Sequence, residues 1–289
     1  MPIFFKILRN DREYFCQADD EPEFYLGRQV HYKNRVGLKN DHDGITRDYR
    51  FNPGEYRSTY GFWADFIGPT AKVESNSSFV VLNTYDRAAF TFGFPQFAAH
   101  VPGGDFVLFF RAMLERAEAH EYFPNLIVKK GTIHSVETLD EVELENKDST
   151  EKLQKYLNQA SDIVDDREVI AAAKFVHWTI NYPQARELQV QHATNLARRI
   201  VERIDRRVGL NGQPAAICCV AFDLLHHGRG GDQVFPRIDA ALKASDPLEA
   251  LLAIGEEGYA ERVKGLRRQL KDSEQFEGKR WASASLDFV

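Results

Sequence analysis

The feature that most constrains the fold of this chain is the spacing of apolar residues in its second half. Apolar side chains recur at intervals of three and four between residues 164 and 180, and the same spacing returns from Leu196 to Val208. This spacing is typical of α-helices that bury one face. Gly209 follows directly and is a common helix terminator. The chain is therefore expected to contain several packed helices.

Two more helices are indicated by residues that favour helix starts. Asn52 stands before Pro53, and Asp246 stands before Pro247. Asn and Asp cap helices through their side-chain oxygens, and proline suits the first helical position. The sequence Gly68-Pro69-Thr70 predicts the end of the helix that starts at Asn52, with residues 71 to 75 in another helix.

Extended structure is expected in smaller amounts. Residues 127 to 145 alternate enough to form a small hairpin with a turn at Gly131, whereas residues 1 to 50 hold only short strand-like pieces, at residues 3 to 8 and 24 to 32. We therefore predict a mainly α fold with a small β element. Its expected parts are an irregular N-terminal extension (1–50), one helical catalytic domain (51–270) and a loosely held C-terminal tail (271–289).

Composition and charge narrow the class of partner. Of the 289 residues, 43% are hydrophobic and 28% are charged, which is ordinary for a globular protein. The formal net charge of -6 disfavours a nucleic-acid partner. The three cysteines include the adjacent pair Cys218 and Cys219, so no disulfide framework is expected. We find no nucleotide-binding or serine-hydrolase motif and expect no cofactor.

The N-terminal residues bear on localisation. The apolar patch from Ile3 to Leu8 is too short for the core of a signal peptide, and no apolar run is long enough to span a membrane. We expect synthesis in the cytoplasm without a signal peptide and no membrane span. Action at the cell wall or in the periplasm would then require a non-standard export route.

The most informative segment is the one between residues 73 and 97. It places Glu74 and Ser75 at the end of an apolar helix, then Asn83 and Asp86 in a polar turn, and then Phe92-Gly93-Phe94-Pro95-Gln96. This order resembles the core of goose-type lysozymes and lytic transglycosylases, and more loosely that of chitosanases and phage lysozymes. The resemblance implies a lysozyme-like helical domain whose small β element lies beside the active-site cleft.

The resemblance also implies a reaction, namely cleavage of β-1,4 bonds in peptidoglycan by a muramidase or a lytic transglycosylase. Two alternatives stay open. One is a chitosanase-type hydrolase, since a cationic glycan suits an acidic protein. The other is a non-catalytic lysozyme-like module that binds a glycan or a protein. No immunity or delivery partner can be named from the residues.

Glycosidic cleavage gives an independent chemical reason to single out two carboxylates. The reaction needs a carboxylic acid that stays protonated near neutral pH, which Glu74 would supply through desolvation beside Val73, Phe79 and Phe92. In an inverting hydrolase a second carboxylate, roughly 6.5–9.5 Å away, activates water, and Asp86 is the candidate. A lytic transglycosylase would use Glu74 first as acid and then as base.

Several other residues are candidates for substrate binding. Gln96 offers a hydrogen-bond donor and an acceptor, Gly93 permits close backbone approach, and Tyr85 offers an aromatic face. In the family that the motif resembles, the glycine and glutamine positions line the cleft. The candidates in this segment are Ser75, Asn83, Tyr85, Gly93 and Gln96.

A second segment, residues 226 to 232, follows an apolar helix and is predicted to be a cleft loop. His227 and Asp223 are the binding candidates here, and Asp223, one turn before His226 and His227, could alternatively serve only to orient one of these histidines. The adjacent histidines lack the four-residue spacing of a helical zinc site, so no metal site is predicted.

Overall fold

A computed structural model of the chain describes residues 1–40, 44–229 and 231–289. Gly230 of the predicted cleft loop lies outside these residues. The described chain divides into two compact units. Unit 1 comprises Met1–Arg50 and Ser78–His192, and unit 2 comprises Phe51–Ser77 and Ala193–Val289.

Unit 1 contains a seven-stranded antiparallel sheet in which every strand pairs with its neighbours in sequence. Residues Phe5 and Ala18 are partners in the first pair of strands, and Lys39 pairs with Asn83 where the sheet continues after the gap in sequence. The strands are β1 (Phe5–Asn10), β2 (Glu13–Ala18), β3 (Phe24–Tyr32), β4 (Arg35–Lys39), β5 (Leu82–Asn83), β6 (Thr91–Phe92) and β7 (Phe97–Ala98).

This sheet corrects the predicted fold class. The structure has 48% helix and 18% strand in an α/β arrangement, so the prediction of a mainly α fold with a small β element is wrong. Residues 1 to 50, predicted to be an irregular extension, supply four paired strands. The last three strands are only two residues long, and strands this short cannot show a two-residue alternation.

The remainder of unit 1 covers the sheet with helices and a second small sheet. Its elements are α3 (Asp105–Leu114), α4 (Ala119–Tyr122), β8 (Leu126–Lys129), β9 (Thr132–Ser135), β10 (Val142–Glu143), α5 (Glu151–Leu157), α6 (Asp166–Asn181) and the start of α7 (Pro183–Val208). The hairpin predicted around Gly131 is confirmed as β8 and β9. Phe175 on α6 lies in the aromatic core, where its ring contacts those of Phe90, Phe92 and Phe110.

Unit 2 is mainly helical. Its elements are α1 (Pro53–Tyr60), α2 (Phe62–Ser75), the rest of α7, α8 (Ala215–His226), α9 (Val234–Leu242), α10 (Pro247–Glu256), α11 (Ala260–Lys271), β11 (Trp281–Ala282) and β12 (Asp287–Phe288). Both predicted caps are confirmed. The Asn52 side chain accepts a hydrogen bond from Gly54 N at 3.2 Å, and that of Asp246 accepts one from Glu249 N at 3.1 Å.

Two parts of unit 2 differ from the expectations. Helix α2 continues through Gly68-Pro69-Thr70, so the helix end predicted there is wrong. Proline removes one backbone donor, and the buried face of α2 offsets that loss by packing. In the C-terminal segment, predicted to be a loose tail, Trp281 and Phe288 are buried. Their rings contact Trp63 of α2, which anchors the end of the chain.

The expectations about membrane-spanning segments and about cysteines can be compared with the structure. Within the described ranges, no helix combines the length and the apolar character needed to cross a membrane. The cysteines Cys16, Cys218 and Cys219 are free and buried. Burial raises the pKa of the Cys16 thiol to about 12, which makes that group a packing residue and not a nucleophile.

Candidate functional site

Glu74 lies in the last turn of α2, where the helix ends. The next residue but one, Asn76, adopts a left-handed conformation and donates its backbone N–H to Lys72 O at 3.1 Å, which closes the helix. Ser75 donates its hydroxyl to Ala71 O at 3.3 Å, one turn earlier. The helix end therefore fixes the backbone that carries Glu74.

Arg262 on α11 holds the carboxylate of Glu74. Its Nη1 donates to Glu74 Oε2 at 2.5 Å, and the two side chains are 9% and 18% exposed respectively. Helix α11 approaches α2 closely at Gly265, which has no side chain. A Cβ at this position would lie 3.0 Å from Val73 Cγ1. The group that Glu74 contacts is thus a cation, whereas the sequence suggested an apolar pocket.

Asp223 on α8 is the centre of this arrangement. It is fully buried and accepts hydrogen bonds from Arg262 Nη2 at 2.7 Å and from Arg229. Burial by itself would raise the pKa of Asp223, but the positive charge and hydrogen bonds of Arg262, with the charge of Arg229, hold that pKa below its ordinary value. We call Glu74, Asp223, Arg229 and Arg262 the ionic cluster.

His227 lies beside the ionic cluster. Burial lowers its pKa, and the charge of Arg262 lowers it further, although Glu74 acts in the opposite direction. The ring is therefore neutral near pH 7. It contacts the partly exposed Tyr259 edge-on, with 4.6 Å between ring centroids. The buried Nδ1 has no hydrogen-bond partner among the described residues.

The structure therefore brings three predicted residues together in unit 2, namely Glu74, Asp223 and His227. Sequence reasoning missed Arg229 and Arg262, which join them. Arg262 lies in a charged amphipathic helix, where a basic residue ordinarily marks a solvated face. Arg229 lies in the segment predicted to be a loop, but it was not among the binding candidates of that segment. No sequence signal distinguished either arginine.

Ser75, also a predicted binding residue, lies at the end of α2 in unit 2, and the remaining predicted residues lie in unit 1. Asn83 on β5 and Gln96 in the turn before β7 are connected, because Asn83 Nδ2 donates to Gln96 Oε1 at 3.3 Å. Gln96 Nε2 in turn donates to Gly93 O at 3.0 Å. The amide of Gln96, predicted to bind sugar, therefore has one acceptor position and one donor occupied within the hairpin.

Gly93 is buried and adopts a positive φ of 80°. A Cβ there would lie 2.3 Å from Oε1 of Gln189, so only glycine fits. Gln189, a fully buried residue of α7, accepts from Phe94 N at 3.3 Å and donates to Phe79 O at 2.9 Å. The close approach that Gly93 permits is to this amide. A role in lining a substrate cleft stays a prediction.

Tyr85 and Asp86 lie in the turn between β5 and β6. Asp86 Oδ1 accepts from Ala88 N at 2.8 Å, and Asn158 Nδ2 ties the turn at both ends by donating to Thr84 O and Ala89 O, each at 3.0 Å. Tyr85 is half-buried, in contact with the ring of Tyr32. The backbone carrying Asp86 is thereby fixed, and its carboxylate remains partly exposed.

Glu168 supports the same turn from α6. Its Oε1 accepts a hydrogen bond from Leu38 N at 3.1 Å and shares a short hydrogen bond with the Thr84 hydroxyl. Its side chain is fully buried, and Oε2 has no partner among the described residues. Burial raises the pKa of Glu168 to about 8, against the opposing effect of these hydrogen bonds. This carboxyl is therefore mostly protonated at neutral pH.

This buried acid predicts a pH-dependent stability. An unfolded glutamate has a pKa near 4.5, whereas folded Glu168 has one of about 8. The stabilisation from its protonated form is complete below the unfolded pKa and is lost as pH rises through about 8, with a slope of at most ~1.4 kcal/mol per pH unit. Urea unfolding between pH 5 and 9 should show a shallower dependence for Glu168→Gln; equal slopes would refute this assignment.

The comparisons with known proteins add no assignment to this geometry. Comparison with protein-family models, curated proteins and solved structures finds no match to the chain. A functional inference therefore has to come from the residues themselves.

The two groups of residues offer different chemistry. The ionic cluster presents one partly exposed carboxylate on a buried charged support, which is the arrangement expected of a positioned acid, base or anchor. The turn in unit 1 presents a second partly exposed carboxylate, Asp86, with its backbone fixed at both ends. The two carboxylates that the sequence singled out therefore lie in different units, Glu74 in unit 2 and Asp86 in unit 1.

Proposed function

We propose that this protein cleaves β-1,4 glycosidic bonds in peptidoglycan, as a muramidase or a lytic transglycosylase, with Glu74 as general acid and Asp86 assisting. The proposal includes action at the cell wall or in the periplasm after export by a non-standard route. It rests on the motif of residues 73 to 97 and on the environment of Glu74.

The observation that carries the proposal is the support under Glu74. Buried charges are costly unless they are paired, and Asp223 is fully buried against two arginines. Apolar packing would stabilise unit 2 at lower electrostatic cost. Asp223 fixes the position of Arg262, and Arg262 in turn holds the carboxylate of Glu74. The Glu74 side chain is still partly exposed to solvent. This arrangement holds the carboxyl in a fixed position, and because a cationic partner favours the ionised form, a sugar oxygen has to displace Arg262 before Glu74 can donate a proton.

The reaction assigns one step to each carboxylate. Glu74 gives its proton to the leaving oxygen as the bond to the sugar carbon breaks, and Asp86 takes a proton from the attacking water. In a lytic transglycosylase the hydroxyl of the sugar itself attacks, and Glu74 takes up the proton of that hydroxyl. In either case a sugar oxygen replaces Arg262 as the partner of Glu74, while Arg262 keeps its bonds to Asp223.

A second candidate function is favoured by the same ion pair. Glu74 already has a cationic partner, which suits a carboxylate that serves as a hydrogen-bond anchor in a glycan-binding module without catalysis. Such a module would bind peptidoglycan and release no fragments. Chitosan is the second substrate to test, because its positive charge matches the acidic balance of the chain.

The experiment is incubation of purified peptidoglycan and of chitosan with the protein, followed by mass spectrometry of the soluble products. Reducing muropeptides would establish a hydrolase, and anhydro-muropeptides would establish a lytic transglycosylase. Chito-oligosaccharides would move the substrate to chitosan. Binding to peptidoglycan without soluble products would replace the enzyme by the binding module.

A further inference from the structure

A separate cavity of about 290 Å³ lies within unit 1. One wall is a face of α6, because Arg167, Ile170 and Lys174 follow each other at helical spacing. Asp166 and Ala171 also belong to α6, and Tyr156 comes from α5. The loops around β8 and β9 contribute Phe123, Asn125 and Glu137. Neither Glu74 nor Asp86 belongs to this cavity.

Lys174 is the most unusual group in this cavity. It is half-buried, and its ammonium lies 5.0 Å from the centre of the Phe123 ring. Within the described chain, its Nζ has no recorded hydrogen bond or ion pair. Burial lowers its pKa, and the charge of Glu137 only partly opposes that effect. A desolvated ammonium without a hydrogen-bonded anion is unfavourable, and an anionic ligand would relieve this cost.

The remaining charges leave the cavity with a positive balance. Asp166 forms an ion pair with Arg9, so its charge is already compensated. Arg167 has no recorded ion pair among the described residues. Two lining residues, Lys174 and Arg167, are therefore positively charged. Among the described lining residues, Glu137 is the one carboxylate without an ion-pair partner outside the cavity. Two cations against one anion favour a ligand that carries a single negative group.

The neutral lining residues indicate the rest of the ligand. Burial raises the pKa of Tyr156 to about 12, so its hydroxyl stays protonated and able to donate a hydrogen bond. Asn125 adds an amide, while Phe123, Ile170 and Ala171 are apolar. The cavity thus combines charged and hydrogen-bonding groups with a smaller apolar part, and its volume is close to that of sites for small organic molecules.

We propose that this cavity binds a small molecule with one carboxylate or phosphate group, whose anionic oxygens contact Lys174 and Arg167 while its body packs against Ile170. The shared chemistry is that of oxygen anions, which lysine and arginine bind through charge-assisted hydrogen bonds. This site is independent of the proposed glycan-cleaving function.

Calorimetric titration of the full chain with acetate, benzoate and inorganic phosphate at constant ionic strength tests the proposal. We expect at least one probe to bind in the millimolar range or tighter. Preference for benzoate or acetate would identify an organic carboxylate as the ligand class, and preference for phosphate would identify a phosphate. Absence of saturable binding up to about 10 mM of every probe would overturn the proposal, because charge-assisted contacts at two cations should exceed that affinity.

A matched pair of variants locates the binding. Lys174→Gln should weaken the best probe at least ~10-fold, because a charge-assisted bond is lost. Lys152→Gln, at an exposed lysine of α5, should leave the affinity unchanged. Equal affinities for Lys174→Gln and the unaltered protein, or an equal loss in both variants, would overturn the site.

A labelling experiment on the unaltered protein does not depend on the folding of any variant. Acetic anhydride acetylates amines, and mass spectrometry gives the rate at Lys174 and at Lys152. The best probe should slow acetylation of Lys174 several-fold and leave Lys152 unaffected. Unchanged labelling of Lys174 at saturating probe would contradict the proposal.

Discussion

Replacement of Asp223 by asparagine is expected to lower the free energy of unfolding by about 3–5 kcal/mol, because it removes one partner of a buried ionic arrangement. Asp223 is fully buried, and the guanidinium of Arg229 beside it is 4% exposed. The asparagine side chain would keep one oxygen that accepts hydrogen bonds, but its NH2 group would point toward the guanidinium groups of Arg229 and Arg262. Arg229 and Arg262 would then have no buried counter-charge from α8.

Urea unfolding followed by tryptophan fluorescence measures this change, since Trp63 and Trp281 both lie in unit 2. Asp239→Asn is the control, because Asp239 forms an exposed ion pair with Lys243 one helical turn away. Such pairs contribute about 0.3–0.5 kcal/mol. If Asp223→Asn cost no more than this control, the ionic cluster would not be a structural support for Glu74.

Replacement of Glu74 by glutamine is expected to reduce peptidoglycan cleavage by a factor of roughly 10²–10⁴, the range associated with one general acid. Glutamine keeps the shape of glutamate and an oxygen that can accept from Arg262, so the fold should be retained. It has no carboxylic proton to give to the leaving oxygen. The rate of release of soluble muropeptides, at equal thermal stability, measures the loss.

Glu261→Gln is the matched control for this variant. Glu261 precedes Arg262 on α11, and its side chain is 90% exposed. The control makes the same chemical change beside the ionic cluster and should keep the full rate. A Glu74→Gln variant that retained more than about a tenth of the rate would remove Glu74 as the acid, since general acids contribute at least ~10²-fold.

Local signals in the sequence predicted local structure well. The caps at Asn52 and Asp246 lie where a side-chain oxygen and a proline at the next position suggested them. The hairpin around Gly131 and the helix end at Gly209 follow from the same kind of signal. Each depends on residues within one turn of each other, and the sequence shows such patterns directly.

The sheet could not be predicted in this way. The pieces at residues 3 to 8 and 24 to 32 look like strands, but their stability comes from pairing that the sequence does not display. Lys39 pairs with Asn83 across more than forty residues. Strands β5 to β7 are two residues each, and Gln189 fixes the segments beside them through hydrogen bonds with Phe79 and Phe94. Tertiary contacts, and not intrinsic preference, make these segments extended.

Only part of the candidate site was predicted, because contacts between residues far apart in the sequence complete it. Glu74, Asp223 and His227 were singled out from motif and position, but Arg262 joins Glu74 from far along the chain. No sequence pattern singled out Glu168, which lies in the first turn of α6 and donates its backbone N–H to the Asp165 side chain at 2.8 Å. Its own carboxyl is buried against Leu38 instead, which only the fold reveals.

The central claim is that Glu74 performs chemistry and does not anchor the glycan. The most direct test is co-sedimentation of Glu74→Gln and of the unaltered protein with insoluble peptidoglycan, at low temperature and short times, to compare their affinities. We expect the two affinities to agree within about threefold, a difference smaller than the loss of one hydrogen bond to a charged group. A loss of affinity of more than about tenfold would show that Glu74 is a binding anchor and would contradict its role as the acid.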